Sequence, residues 1–191
     1  MGREFELKFR ADAAVISAIR EKYGDFTPIS METTYYDTFD LKLALHRWTL
    51  RRRMENGISV CTFKRPHADG GRGEWEVNAD SIMEGVMQLC KAGADWELMR
   101  CASGGLMEVC GARFTRLAKT LEVSGGTVEL ALDEGILLGK GKELPFAEVE
   151  VELKDGSDEA AVAFAKALAE EFALTEESRS KFVRAMALAM N

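Results

Sequence analysis

Residues 148–153 read Glu-Val-Glu-Val-Glu-Leu. Successive side chains of an extended strand point to opposite faces, so this segment sets three carboxylates in one row and three aliphatic side chains in the other. Like charges at i, i+2 and i+4 repel one another unless cations answer them. Other segments alternate in the same way and carry both signs. The first strand places Glu4, Glu6, Lys8 and Arg10 on one face; a third carries Arg51 and Arg53, a fourth Lys64 in line with Val60 and Thr62, and a fifth Glu74 and Glu76. A sixth carries Arg116 and a seventh Glu129 and Asp133, four apart and so on one face.

Two readings of these rows stay open for any single strand. One is the solvated face of an ordinary two-layer sheet. The other is a sheet that curls until its charged face meets itself, which also removes its edges. Taken together, the unbroken rows of carboxylates and the matching rows of Arg and Lys favour the second. A closed antiparallel barrel of about eight strands is therefore expected, α+β in class, with a polar lumen and with its apolar faces turned outward under helices. A polar lumen is costly unless its charges are paired or ligated. Clustered carboxylate oxygens suit hard cations such as Mg²⁺ or Mn²⁺, and clustered Arg and Lys suit phosphate oxygens. Both together point to a metal–polyphosphate complex.

The elements between these strands are legible from caps and turns. Asp12 caps a helix over 13–23, Ser81 and Glu84 form a capping box for a helix to Cys90, and Ser157 opens a helix to Phe172. A further helix is expected over 93–110 and a last one over 178–190. Strands are expected over 29–38, 48–54, 57–65, 73–78, 112–123, 126–134 and 146–153. Asn56-Gly57 and Gly125-Gly126 mark hairpins, and Gly70-Gly71-Arg72-Gly73 reads as a flexible connection. The length, 191 residues, suits a single domain spanning 1–191 with the helices of 157–190 packed on the barrel. A net charge of −7 disfavours non-specific binding of nucleic acid. With 30% charged residues and no apolar run long enough to span a bilayer, no membrane association is expected. The N-terminal residues are charged and lack an apolar stretch, so no secretory leader and a cytoplasmic location are expected. Cys61, Cys90, Cys101 and Cys110 show no CxxC spacing and read as buried thiols.

Glu4-x-Glu6-x-Lys8 resembles the N-terminal hallmark of the CYTH superfamily, also called triphosphate tunnel metalloenzymes, and further segments follow in order. Tyr35-Tyr36-Asp37-Thr38 is similar to the family's Y-[YF]-[DE]-T, Leu50-Arg51-Arg52-Arg53 to its L-R-x-R, and Phe63-Lys64 and Glu74-x-Glu76 to its next two strands. Glu129-Leu130-Ala131-Leu132-Asp133-Glu134-Gly135 is similar to its E-x-A-x-D-x-G. The Glu148–Leu153 run and Ser180-Lys181 with Arg184 complete the pattern. Two departures stand out. Arg116 is followed by Ala118 where a second basic residue is usual, Lys119 having the wrong parity, and Ala185 replaces a usual Gly.

The resemblance implies an eight-stranded tunnel that hydrolyses a phosphoanhydride with divalent metal, Mg²⁺ or Mn²⁺. Its substrate-binding set here is Lys8, Arg51, Arg53, Lys64, Arg116 and Lys181. Its metal set is Glu4, Glu6, Asp133, Glu148, Glu150 and Glu152. Lys8, Lys64 and Glu129 take catalytic roles, with Glu74 and Glu76 supporting. The expected partner is a small phosphorylated substrate, and the chain is expected to be a monomer or homodimer. Inorganic triphosphate is the preferred substrate; the alternatives are a class IV adenylate cyclase, a thiamine-triphosphatase and a polyphosphate-binding module without catalysis. Gly139-Lys140-Gly141-Lys142 fails the phosphate-loop pattern and reads as a mobile connection. His46 and His67 stand in no ligand spacing, and Arg52 falls on the face opposite Arg51 and Arg53.

Overall fold

The computed structural model describes residues 2–3, 5–66 and 72–190; Glu4, His67 and Gly70-Gly71 lie outside the described residues. The strands are β1 (Gly2–Arg3), β2 (Glu6–Arg10), β3 (Thr27–Asp37), β4 (Thr49–Glu55), β5 (Ile58–Pro66), β6 (Arg72–Asn78), β7 (Met107–Val123), β8 (Gly126–Gly139), β9 (Lys142–Gly156) and β10 (Thr175–Glu176). The helices are α1 (Ala13–Tyr23), α2 (Lys42–Leu45), α3 (Ile82–Lys91), α4 (Trp96–Ser103), α5 (Asp158–Glu171) and α6 (Lys181–Met190). Every described strand ladder is antiparallel, and the sheet runs β1-β6-β5-β4-β3-β7-β8-β9-β2-β10.

This order corrects the closed eight-stranded barrel. The N-terminal run divides its hydrogen bonds, Gly2–Arg3 pairing with β6 at one end of the sheet and Glu6–Arg10 with β9 near the other. Among the described residues two short ladders thus stand in place of one continuous seam, and the sheet is not a closed ring. The charged face is nevertheless turned inward. Asp133 and Glu148 are fully buried, Glu150 is 6% exposed, and the side chains of Lys8, Lys64, Arg51 and Arg53 are only 9–17% exposed. No solvated face of a flat sheet shields charges to that degree.

The local elements follow their sequence signals. The Asp12 side chain accepts from Val15 N (2.9 Å), Ser81 from Glu84 N (3.3 Å) and Ser157 from Ala160 N (3.3 Å), each satisfying an orphan amide of a helix start. The Glu55-Asn56-Gly57 hairpin turns with φ of 47° at Asn56 and 88° at Gly57, the pair of positive values that a two-residue hairpin of right-handed twist needs. The helix expected over 93–110 is shorter. It is α4 alone, closed at Gly104-Gly105, and β7 already begins at Met107, paired with Asp37. Lys140-Gly141, read as a mobile connection, is instead a tight hairpin turn between β8 and β9.

Two apolar clusters cover the outward face. Leu43, Trp48, Leu50, Phe63 and Trp75 meet Val86, Leu89 and Leu98 of the α3–α4 side. Phe9, Leu130, Leu132, Val149 and Val151 meet Ile16 and Ile19 of α1 and Ala161, Ala165 and Leu168 of α5. All four cysteines are buried thiols. The third cluster lies on the inward face and corrects the uniformly polar lumen. Phe182, Ala185, Met186 and Ala189 of α6 pack on Met31, Tyr35, Cys110, Ala112, Phe114 and Leu137. The parity that puts Arg116 inward also puts Phe114, Ala112 and Cys110 there, and that apolar stripe requires an apolar helix.

Gly139 is what admits α6. A Cβ built on it would lie 2.6 Å from Ala189 N and 2.7 Å from Ala185 O, both backbone atoms. Gly139→Ala is expected to cost about 2–3 kcal/mol by pushing α6 off β8, read as a lowered denaturation midpoint with faster amide exchange across residues 181–190. Unchanged stability and exchange would contradict this packing.

Candidate active site

The registers bring most of the sequence-nominated side chains to the inner face. Across β2, β9 and β8, Glu6 stands opposite Glu152 and Glu152 opposite Glu129; Lys8 stands opposite Glu150, and Glu148 opposite Asp133. Arg116 follows on β7, opposite Asp133. On the other half of the sheet, Arg51 pairs with Thr62, Thr62 with Glu76, and Lys64 with Glu74. Lys181 reaches the same face from α6.

Glu150 is the hub of the first group. It accepts from Lys181 Nζ at 2.9 Å and from the Arg116 guanidinium, with Lys8 Nζ at 3.9 Å. Arg116 also forms a two-pronged pair with Asp133, at 2.8 and 2.7 Å. Burial raises the carboxyl pKa of Glu150, but Lys181, Arg116 and Lys8 outweigh it and hold it well below the usual carboxylate range. For Lys181 burial likewise opposes the charge, and Glu150, Asp133 and Glu148 outweigh it and hold the ammonium well above the ordinary lysine value. Glu148 behaves differently. Burial leads and pushes it upward, with Lys181 opposing, Glu150 adding and Arg184 opposing.

The second group sets three cations against three carboxylates. Arg51 lies 4.0 Å from Glu74 and 3.7 Å from Glu76, Arg53 3.8 Å from Glu76 and against Glu55, and Lys64 3.2 Å from Glu74. Burial, and after it the Arg51 charge, hold the Arg53 pKa below the ordinary arginine value, with Arg116 adding to the effect from β7. The two groups therefore sense each other across the inner face. The buried Arg53 Nε makes no hydrogen bond among the described residues, which suits a donor waiting for an anion.

Asp133, Glu148 and Glu150 each offer an oxygen within 4.8 Å of the others, a buried acidic group suited to a metal ion. Glu129 and Glu152 sit nearer solvent beside Lys154, at 3.7 and 2.9 Å. Glu129 also lines a cavity of about 440 Å³ with Asp25, Thr27, Ala118, Lys119 and Thr120. Lys119 does not serve as a second basic contact: its ammonium is held by the carbonyls of Tyr23 (2.6 Å) and Gly24 (2.9 Å). Arg52 points to the other face and bonds Ser59 Oγ at 2.8 Å. His46 stacks on Trp48. Asp37 is a buried cap, accepting from Thr38, Leu43 and Ala44 amides at 2.7–3.0 Å.

Sequence reasoning quoted Arg184 within a motif without giving it a role. One turn beyond Lys181 on α6, its guanidinium pairs with Glu148. The i, i+3 spacing on a helix was the available signal. Glu177 was missed altogether. It accepts from Arg10 Nε at 2.9 Å and from Arg179 N, Nε and Nη2 at 3.1, 3.0 and 2.9 Å, and its own N–H donates to Lys8 O at 2.8 Å. This latch fixes the connector that delivers α6. Chiefly through the Arg179 hydrogen bond, the Glu177 carboxyl is held down from 4.5 to about 2. A depressed carboxyl pKa stabilises the fold above the ordinary value, and the contribution is lost as pH falls through the folded value. Glu177→Gln is therefore expected to lose about 1–2 kcal/mol near neutrality, with wild type and variant converging in thermal melts as the pH approaches 2.

Fold and site together define a class: α+β proteins whose charged face is the inner face of a curled antiparallel sheet. The chain belongs to the CYTH domain family, whose model matches residues 2–186. Among curated proteins, an inorganic triphosphatase of Haemophilus influenzae is 25% identical over 164 residues, covering 82% of this chain and 47% of that protein; the chain thus spans about half the length of this relative. Among solved structures, an adenylyl cyclase candidate from Hippeastrum, described as having a dominant triphosphatase activity, superposes with a TM-score of 0.70 at 19% identity, over 97% of this chain and 96% of that one. PH1819 of Pyrococcus horikoshii OT3 superposes with a TM-score of 0.66 at 24% identity, over 98% and 99%.

Proposed function

We propose that this chain is a metal-dependent hydrolase that cleaves inorganic triphosphate to pyrophosphate and phosphate. The observation that carries the reading is the co-location, on one shielded sheet face, of Arg51, Arg53, Lys64, Lys8 and Arg116 with a buried carboxylate trio. The triphosphatase relative supports it. Arg51, Arg53 and Lys64 would bind one end of the triphosphate, and Lys8 and Arg116 the phosphoryl group that departs. All act on charge that spreads over phosphoryl oxygens in the transition state. Asp133, Glu148 and Glu150, with Glu6 and Glu152 along the same rows, would hold Mg²⁺ or Mn²⁺. When bound, such an ion neutralises phosphate charge and acidifies coordinated water. Glu129, which lines the cavity, would orient the attacking water and receive its proton, while Glu74 and Glu76 would keep the arginines in place.

An organic triphosphate needs a platform for its organic group. Trp48 and Trp75 are committed to the outward cluster, Trp96 stands exposed on α4, and Tyr35 and Phe114 are covered by α6. The charged part of the inner face, among the described residues, therefore favours the inorganic substrate over adenylate cyclase or thiamine-triphosphatase chemistry. Product analysis tests this. Tripolyphosphate is expected to give phosphate and pyrophosphate in equal amounts, much faster than ATP or thiamine triphosphate is consumed. Cyclic AMP with pyrophosphate from ATP would replace the reading with a cyclase, and tight binding of tripolyphosphate without turnover would replace it with a binding module.

A further inference from the structure

Lys181 occupies the middle of the carboxylate trio. Its ammonium lies 2.6 Å from Asp133, 2.9 Å from Glu150 and against Glu148. These are the three residues whose oxygens converge within 4.8 Å, so an ammonium and a metal ion cannot share the space. Charge counting gives the same result. The trio carries three negative charges, and Lys181, Arg116, Arg184 and Lys8 set four positive ones against them. A divalent ion added to that set meets no uncompensated carboxylate.

Aromatic rings flank the same position. The Lys181 ammonium stands 4.9 Å from the ring centre of Phe114 and 5.6 Å from that of Phe146, and aromatic faces attract such a charge.

We propose that Lys181 is an internal competitor for the metal: its ammonium holds the Asp133–Glu148–Glu150 position until a divalent cation displaces it. The inference rests on the trio being a metal position, as in the function proposed above, but it concerns binding and can fail while hydrolysis stands. The device keeps three buried carboxylates neutralised when no metal is bound. It also makes metal entry release a cation onto the inner face where the phosphates would lie.

The test is Mn²⁺ binding without substrate, followed by the electron paramagnetic resonance of free Mn²⁺. Lys181→Met is expected to tighten Mn²⁺ binding by at least about tenfold, the worth of about 1.4 kcal/mol, and adding Asp133→Asn should abolish the gain. Affinity unchanged or weakened in Lys181→Met, or a gain that survives Asp133→Asn, overturns the proposal. Because Lys181→Met leaves buried carboxylates, wild-type protein supplies a second measurement. Amine acetylation at Lys181, read by mass spectrometry, should rise several-fold when Mg²⁺ is added. Labelling that is unchanged or lower with Mg²⁺ overturns the proposal as well. Tripolyphosphate hydrolysis assayed on the same preparation separates this failure from failure of the functional reading.

Discussion

Arg53→Ala is expected to raise KM for tripolyphosphate by about a hundredfold, an effect of about 2.7 kcal/mol, while a control at Arg52 leaves it within about twofold. The two residues are chain neighbours with opposite fates. Arg53 faces inward with 16% of its side chain exposed, and burial together with Arg51 holds its pKa down. A bound polyanion relieves that repulsion and supplies a partner for Nε. One or two charge-assisted hydrogen bonds, at about 1.5–3 kcal/mol each, are sufficient for the predicted loss. Removing the guanidinium also leaves Glu55 and Glu76 without one of their counter-charges, which adds repulsion toward an incoming phosphate. Arg52 faces the other way and bonds Ser59, so Arg52→Ala touches stability and not KM. Steady-state kinetics on the pair decide the matter, and equal KM values in the two variants would remove Arg53 from the binding set.

Glu150→Gln is expected to cost about 3–5 kcal/mol of stability, the range for breaking one partner out of a buried ionic network. Lys181, Arg116 and Lys8 all converge on this one carboxylate, which is 6% exposed. With the charge gone, three shielded cations lose the carboxylate they share and are left to Asp133, Glu148 and Glu6. Glu152→Gln, two residues along the same row, serves as the comparison. Glu152 is 28% exposed and meets the half-exposed Lys154, so its loss is expected to cost less than about 1 kcal/mol. The Glu150 contribution also has a pH signature. Its folded pKa is depressed, so the stabilisation is present above the ordinary glutamate value and disappears on acidification below it. Denaturant titrations near neutrality and at acid pH measure both effects. Equal losses in the two variants would mean that Glu150 is not the hub.

The alternation of Glu148, Glu150 and Glu152 with Val149, Val151 and Leu153 was enough to orient β9, and the same parity separated Arg51 and Arg53 from Arg52. Period-2 patterns are local, and so are the caps at Asp12, Ser81 and Ser157; these parts were legible. The seam of the sheet was not, because nothing in residues 2–10 says that one end of the strand pairs with β6 and the other with β9. The place of α6 was hidden for a related reason. Phe182, Ala185, Met186 and Ala189 announce an apolar stripe but not which side of the sheet it covers. The matching stripe, Cys110, Ala112 and Phe114, lies in a segment whose first part looked helical. The same gap hid the position of Lys181 within the carboxylate trio, since each residue was assigned to a ligand by chemical type and not by distance. Asp37, quoted as part of a family motif, proved to be a cap for the turn into α2.

Phosphate release from tripolyphosphate, with and without divalent metal, is the most direct measurement. Purified protein stripped with chelator should show no turnover, and Mg²⁺ or Mn²⁺ should restore it, with Arg53→Ala and Glu150→Gln strongly impaired under the same conditions. Turnover that persists without metal, or no turnover with either ion, would contradict a metal-dependent triphosphatase on this sheet face.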